Sequence, residues 1–124
     1  MDKKKQVVFL KPGQGDFFRL KGTRIEQLLA RESCGQFSAY RVCMEPHREK
    51  KTSYHKRGEE LYYVLSGGGT ARLGDEKYRL SAGCFFRVPP NTPHYFKTDE
   101  TPLEMLNFHS PPVFADQDTF FPEE

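Results

Sequence analysis

Two imidazoles and a carboxylate stand out in this chain as groups able to act together. His55 precedes Glu60 by five residues in "SYHKRGEELYYV" (53–64), and His94 opens "HYFK" directly after the proline-rich turn "PPNTP" (89–93). Neutral imidazole nitrogens and a carboxylate oxygen are the donors of a divalent-metal site that keeps positions open for water, substrate or dioxygen. Iron, manganese, nickel and zinc all accept such a set.

Ser53 lies two residues before His55, so on an extended segment both point to one face and Tyr54 to the other. By the same alternation Glu60, Tyr62 and Val64 share a face, while Leu61, Tyr63 and Leu65 share its opposite. Glu59 then faces outward as a solvated charge. In "LEMLNFHS" (103–110) the alternation sets Leu103, Met105, Asn107 and His109 together. That face is mixed, so it lines a pocket or meets solvent. His47, inside the charged turn "EPHREKK" (45–51), reads as a surface residue. Cys43 and Cys84 read as small core residues, since no cation stands nearby to lower a thiol pKa.

A scaffold must bring these separated donors together, and turn residues recur at intervals that suit short strands. The main turns are "KPGQGD" (11–16), "CGQ" (34–36), "SGGG" (66–69), "LGDEK" (73–77), "SAG" (81–83) and "DETP" (99–102). Between them the reading places strands at Val7–Leu10, Phe17–Leu20, Phe37–Met44, Leu61–Leu65, Thr70–Leu73, Lys77–Leu80, Cys84–Val88, His94–Lys97 and Leu103–His109. This is the pattern of an all-β sandwich or closed barrel. The glycines after Leu65 are expected to end one strand and return the chain antiparallel. Residues 23–33, "TRIEQLLARES", fit a helix or a strand. A strand is favoured, because Phe37–Met44 needs an antiparallel neighbour.

Composition narrows the function classes. The 124 residues make one domain. Eleven Phe and six Tyr lean toward strands and pocket walls. A formal charge of +2 offers no footprint for nucleic acid or a membrane surface, and Lys3–Lys5 reads as a solvated tail. No apolar stretch approaches a membrane span and no signal-like apolar region follows Met1. Three scattered cysteines suit reduced thiols, so a cytoplasmic location is expected.

The motifs also resemble a known family. H-x(4)-E-x(6)-G, filled by His55, Glu60 and Gly67, and G-x(5)-P-x-N-x(2)-H, filled by Gly83, Pro89, Asn91 and His94, are similar to the two motifs of the cupin superfamily. The resemblance spans about residues 37 to 110. It implies a double-stranded β-helix, a conical jelly-roll barrel with a metal near its wider mouth. The chain then divides into an N-terminal arm with the first strands (1–36), a cupin core (37–110) and an extended C-terminal tail (111–124).

On that resemblance His55, Glu60 and His94 are the metal ligands, and Ser53, Tyr62 and His109 meet the substrate. Three positions depart from the family pattern. Asn91 stands where Gly is usual, and Thr98 where Asn is frequent. Ser53 replaces the first histidine of an H-x-H pair, and a hydroxyl is a poor transition-metal ligand. The site is then a three-residue set, or a water held by Ser53 fills the gap, or the metal is weak or absent. The function implied is a metal-dependent enzyme on a small polar metabolite, of isomerase, dioxygenase, decarboxylase or cyclase type. The alternative is a non-catalytic small-molecule binder with an incomplete metal site. Edge strands at the N-terminus and a tail rich in phenylalanine favour a homodimer.

Overall fold

The computed structural model describes residues 2–20, 22–114 and 118–122. Nine strands follow one another: β1 Asp16–Leu20, β2 Thr23–Gln27, β3 Ser38–Met44, β4 Glu49–Ser53, β5 Glu59–Leu73, β6 Glu76–Ser81, β7 Phe85–Val88, β8 His94–Lys97 and β9 Leu103–Ser110. Every pairing is antiparallel. One face of the barrel runs β1-β2-β3-β9-β5-β7, and the other runs β4-β8-β5-β6. The all-β jelly-roll barrel read from the sequence is the fold observed.

β5 joins the two faces. Its first half pairs with β7 and β9 and its second half with β6 and β8, the register slipping between Val64 and Ser66. The expected turn at "SGGG" is therefore absent, and the glycines lie inside one 15-residue strand. Close packing explains their presence. Gly67 adopts φ +80°, and a Cβ there would collide with the Pro102 carbonyl. A Cβ on Gly69 would lie 2.5 Å from the Lys97 carbonyl oxygen. The chain reverses instead at Gly74–Asp75, with Gly74 at φ 62°, the glycine-first pattern of a two-residue hairpin.

Two further expectations change, and a third, the strand within residues 23–33, holds over its first half. Val7–Leu10 forms no strand; Val7 is 96% and Phe9 81% exposed, and alternation alone makes no sheet without a neighbour to pair with. β4 was not anticipated, because "EKKTS" carries the charge of an edge strand; among the described residues it pairs only with β8. Residues 23–33 resolve into β2 and a single 3-10 turn, Arg31–Ser33. β2 is captured on both sides, Phe18↔Ile25 and Ile25↔Val42, and this pairing settles what local propensity leaves open.

Inward-facing residues of both faces meet in one core of Met44, Tyr62, Val64, Ala71, Leu80, Val88, Phe96, Leu103 and Met105. Burying each large side chain of this set contributes about 1.5–3 kcal/mol. Asn91 takes φ 62°, a left-handed conformation that asparagine tolerates in place of glycine. Thr98, fully buried, donates from Oγ1 to the Glu45 carbonyl at 2.6 Å and accepts the Arg48 N–H at 2.9 Å. It ties β8 to the turn ahead of β4. Of the tail phenylalanines, Phe120 stacks on Tyr54 and Phe114 meets the Arg31 guanidinium. Phe121 is 51% exposed, with the Lys51 ammonium over its ring.

Candidate metal centre

Glu60 is 1% exposed near the start of β5, at the centre of four polar side chains. Directly opposite residues of paired strands share a face, and the register uses this twice. Glu60 faces His109 across β5–β9, and Ser53 faces His94 across β4–β8. His55 sits just beyond the end of β4, so the strand delivers Ser53 and His55 to the same interior; both are buried. Glu59, on the opposite face of β5, lies 3.4 Å from Arg87 as an exposed pair.

The contacts fall on the two carboxylate oxygens separately. Glu60 Oε1 accepts the Tyr62 hydroxyl at 2.9 Å and lies 2.9 Å from His109 Nε2. Glu60 Oε2 lies 2.9 Å from His94 Nε2 and 3.4 Å from His55 Nε2. Neither contact has the direction of a hydrogen bond, and Oε2 has no hydrogen-bond partner among the described residues.

The outer nitrogens of these two rings are occupied. His55 Nδ1 donates to the Asp118 carbonyl at 2.6 Å, and His94 Nδ1 donates to the Thr92 carbonyl at 3.1 Å. A carbonyl only accepts, so each ring carries a proton on Nδ1, and in its neutral form turns an Nε2 lone pair toward Oε2. Three electron-rich atoms thus converge with no proton between them. Ligands held about 2.1 Å from one ion lie about 3.0–3.4 Å apart at octahedral or tetrahedral angles. The donors and the unpartnered Oε2 therefore fit a divalent cation.

His109 is held differently. Asn107 Nδ2 donates to the Leu61 carbonyl at 3.3 Å, which turns Oδ1 to His109 Nε2 at 2.7 Å. His109 Nε2 thus carries a proton beside Asn107 and Glu60, while its buried Nδ1 has no hydrogen-bond partner among the described residues. His55, Glu60 and His109 each still offer a ligand atom within 4.8 Å of the others.

Burial pushes the Glu60 carboxyl up, but hydrogen bonding from His109, joined by His55 and His94 when their rings take up a second proton, more than offsets it and holds it well below the usual range. Burial pushes His55 down, and Glu60 and Asp118 together raise it. Burial and the Glu60 charge push the Tyr62 phenol well above its ordinary value, so it stays a hydrogen-bond donor.

The sequence reading missed two residues. Lys50 faces Phe96 across β4–β8 and so turns inward; burial lowers its amine pKa, opposed by Glu60. Its signal was hidden in a lysine-rich run that looked solvated. Asp118 arrives from the tail, 63 positions from His55, and no local spacing announces it. A groove of about 490 Å³ between β6 and β7, lined by Leu80, Cys84 and Phe86 among others, touches none of the histidines.

A jelly-roll barrel enclosing a histidine–carboxylate cluster defines the class, and the comparisons name it. Residues 40–109 match the family model described as the cupin domain, so more than half of the chain is covered. The chain belongs to the cupin family. An uncharacterized protein of Methanocaldococcus jannaschii is 38% identical over 72 residues, 56% of this chain and 57% of its own. The quercetin 2,3-dioxygenase of Bacillus subtilis is 28% identical over 109 residues, 85% of this chain and 32% of its own. The chain thus spans well under two thirds of either relative. Among solved structures, Streptomyces Pac13, described as a nucleoside dehydratase, aligns with TM-score 0.76 at 24% identity, covering 95% of this chain and 92% of that one. That likeness concerns the fold.

Proposed function

We propose that this cupin binds one divalent transition metal through His55, Glu60 and His94, and uses it to transform a small polar metabolite. The observation that carries the reading is Glu60 Oε2, buried without a hydrogen-bond partner between two imidazole nitrogens whose protons lie on their far sides. A bound ion supplies Lewis-acid or oxygen-binding chemistry at that point. The chain's own groups do the rest. Tyr62 and His109 hold Glu60 Oε1, keeping Oε2 free to face the ion. Ser53, opposite His94, leaves room where a further histidine would stand and presents a hydroxyl to water or substrate. Lys50, inward-facing with a lowered amine pKa, is the side chain best suited to move a proton or hold a substrate anion.

A second reading, a metabolite binder without turnover, is favoured by Ser53 alone, because a three-residue site holds its ion more weakly than a four-residue one. Metal-loaded protein incubated with a panel of small polar metabolites, followed by NMR, separates the two. Conversion of one compound, lost in Glu60→Gln and reduced in Lys50→Met, supports the enzyme. Binding without conversion in every metal form supports the binder.

A further inference from the structure

We propose that Asp118 is a positioning residue for His55, gripping the loop that carries this histidine and fixing which of its nitrogens faces the candidate metal site. The proposal rests on the metal reading above only for what that nitrogen binds.

The grip has two parts on one residue. The carboxylate accepts three successive backbone N–H groups: Oδ1 from Lys56 at 2.9 Å, Oδ2 from Arg57 at 3.0 Å and from Gly58 at 2.9 Å. Consecutive amides converging on one anion form a strong, directional cradle. The backbone carbonyl of Asp118 meanwhile takes the Nδ1 proton of His55 at 2.6 Å. A single residue thus sets both the path of the loop between His55 and Glu60 and the tautomer of the ring.

Two further observations place Asp118 there by construction. It adopts φ +46°, a left-handed conformation that costs a non-glycine residue energy and persists where surrounding bonds demand it. Two residues on, Phe120 exchanges both backbone hydrogen bonds with Tyr54, at 2.9 and 3.0 Å, and stacks on its ring. The tail is therefore anchored beside the residue preceding His55. Groups that orient a ligating histidine through its second nitrogen typically govern metal affinity by about 10–100-fold.

The test uses the full chain. Asp118→Gly removes the carboxylate while tolerating the positive φ; Asp118→Asn keeps one acceptor oxygen; Phe120→Ala loosens the neighbouring anchor and spares the carboxylate. Long-range proton–nitrogen NMR of the metal-free protein reports the His55 tautomer, and competition with a chelator reports Zn²⁺ affinity. The proposal expects His55 protonated on Nδ1 in the wild type and a mixed tautomer in Asp118→Gly. It expects Zn²⁺ affinity to fall about 10–100-fold in Asp118→Gly, with Asn restoring most of it. An unchanged His55 tautomer in Asp118→Gly overturns it. So does a mixed tautomer in Phe120→Ala, where the carboxylate grip is intact, and this outcome decides the matter if Asp118→Gly does not fold. If the wild type takes up no zinc, the metal reading fails, and the tautomer measurement alone decides the role of Asp118.

Discussion

Glu60 Oε2 and His94 Nε2 lie 2.9 Å apart in the barrel interior with no hydrogen bond between them. With the ring neutral, two lone pairs face each other, a contact that a cation, a metal ion or a second proton on the ring, relieves. The packing that holds these atoms together comes from β5 and β8, whose aromatic side chains Tyr62 and Phe96 are in contact at 5.2 Å between ring centroids. This core is expected to hold its packing without the imidazoles of the site.

That independence makes the histidines removable. His55→Ala and His94→Ala should each lower metal affinity by more than the roughly 100-fold upper figure for outer-shell residues and leave the strand content unchanged by circular dichroism. Loss of the fold in both variants would mark these rings as structural instead.

Ser53 faces His94 across β4–β8 and is buried. An imidazole at this position has the direction needed to join the site, so Ser53→His should tighten Zn²⁺ binding by at least about tenfold, or 1.4 kcal/mol. Equal affinity in variant and wild type would place residue 53 outside the ion's reach.

The outer face of the barrel provides a pH prediction away from the site. Glu26 is buried, which pushes its carboxyl up, but the Gly15 N–H at 2.8 Å and Arg41 Nε at 2.9 Å more than offset this and hold it low. A folded-state pKa below the unfolded value of about 4.3 stabilises the protein above that pH, and the benefit is lost as pH falls through the lower folded value. Glu26→Gln should therefore be less stable at pH 7 by about 1–2 kcal/mol. Urea unfolding should find the gap narrowing as pH falls below about 4.3, and a gap independent of pH would show that the Glu26 charge contributes nothing.

Gly67 joins the two faces where no side chain fits. Gly67→Ala adds left-handed backbone strain to a clash with the Pro102 carbonyl, so it should cost at least about 2 kcal/mol. Gly83→Ala is the control. It shares a positive φ, 92°, but a Cβ there meets nothing within 4 Å, so it should cost less. Equal losses would mean that backbone conformation alone, and not the close approach, accounts for Gly67.

Much of this arrangement could be read before the structure, where local rules suffice. Alternation put Glu60, Tyr62 and Val64 on one face because β5 is a half-buried strand with a single inner side. It failed at "SGGG", where glycine serves a close approach of backbones and not a turn. It failed again at β4, whose charges conceal an inward Lys50. The neighbourhood of His109 and Glu60 depends on the β5–β9 register, a relation between residues 49 positions apart. The hold of Asp118 on His55 depends on the tail folding back, and no periodicity carries that information.

The central claim is that an ion resolves the crowding at Glu60 Oε2, and elemental analysis of protein purified without chelator tests it most directly, beside Glu60→Gln. The account predicts close to one equivalent of a single transition metal in the wild type and none in the variant. No metal in the wild type, even after reconstitution with manganese, iron, nickel or zinc, would contradict it.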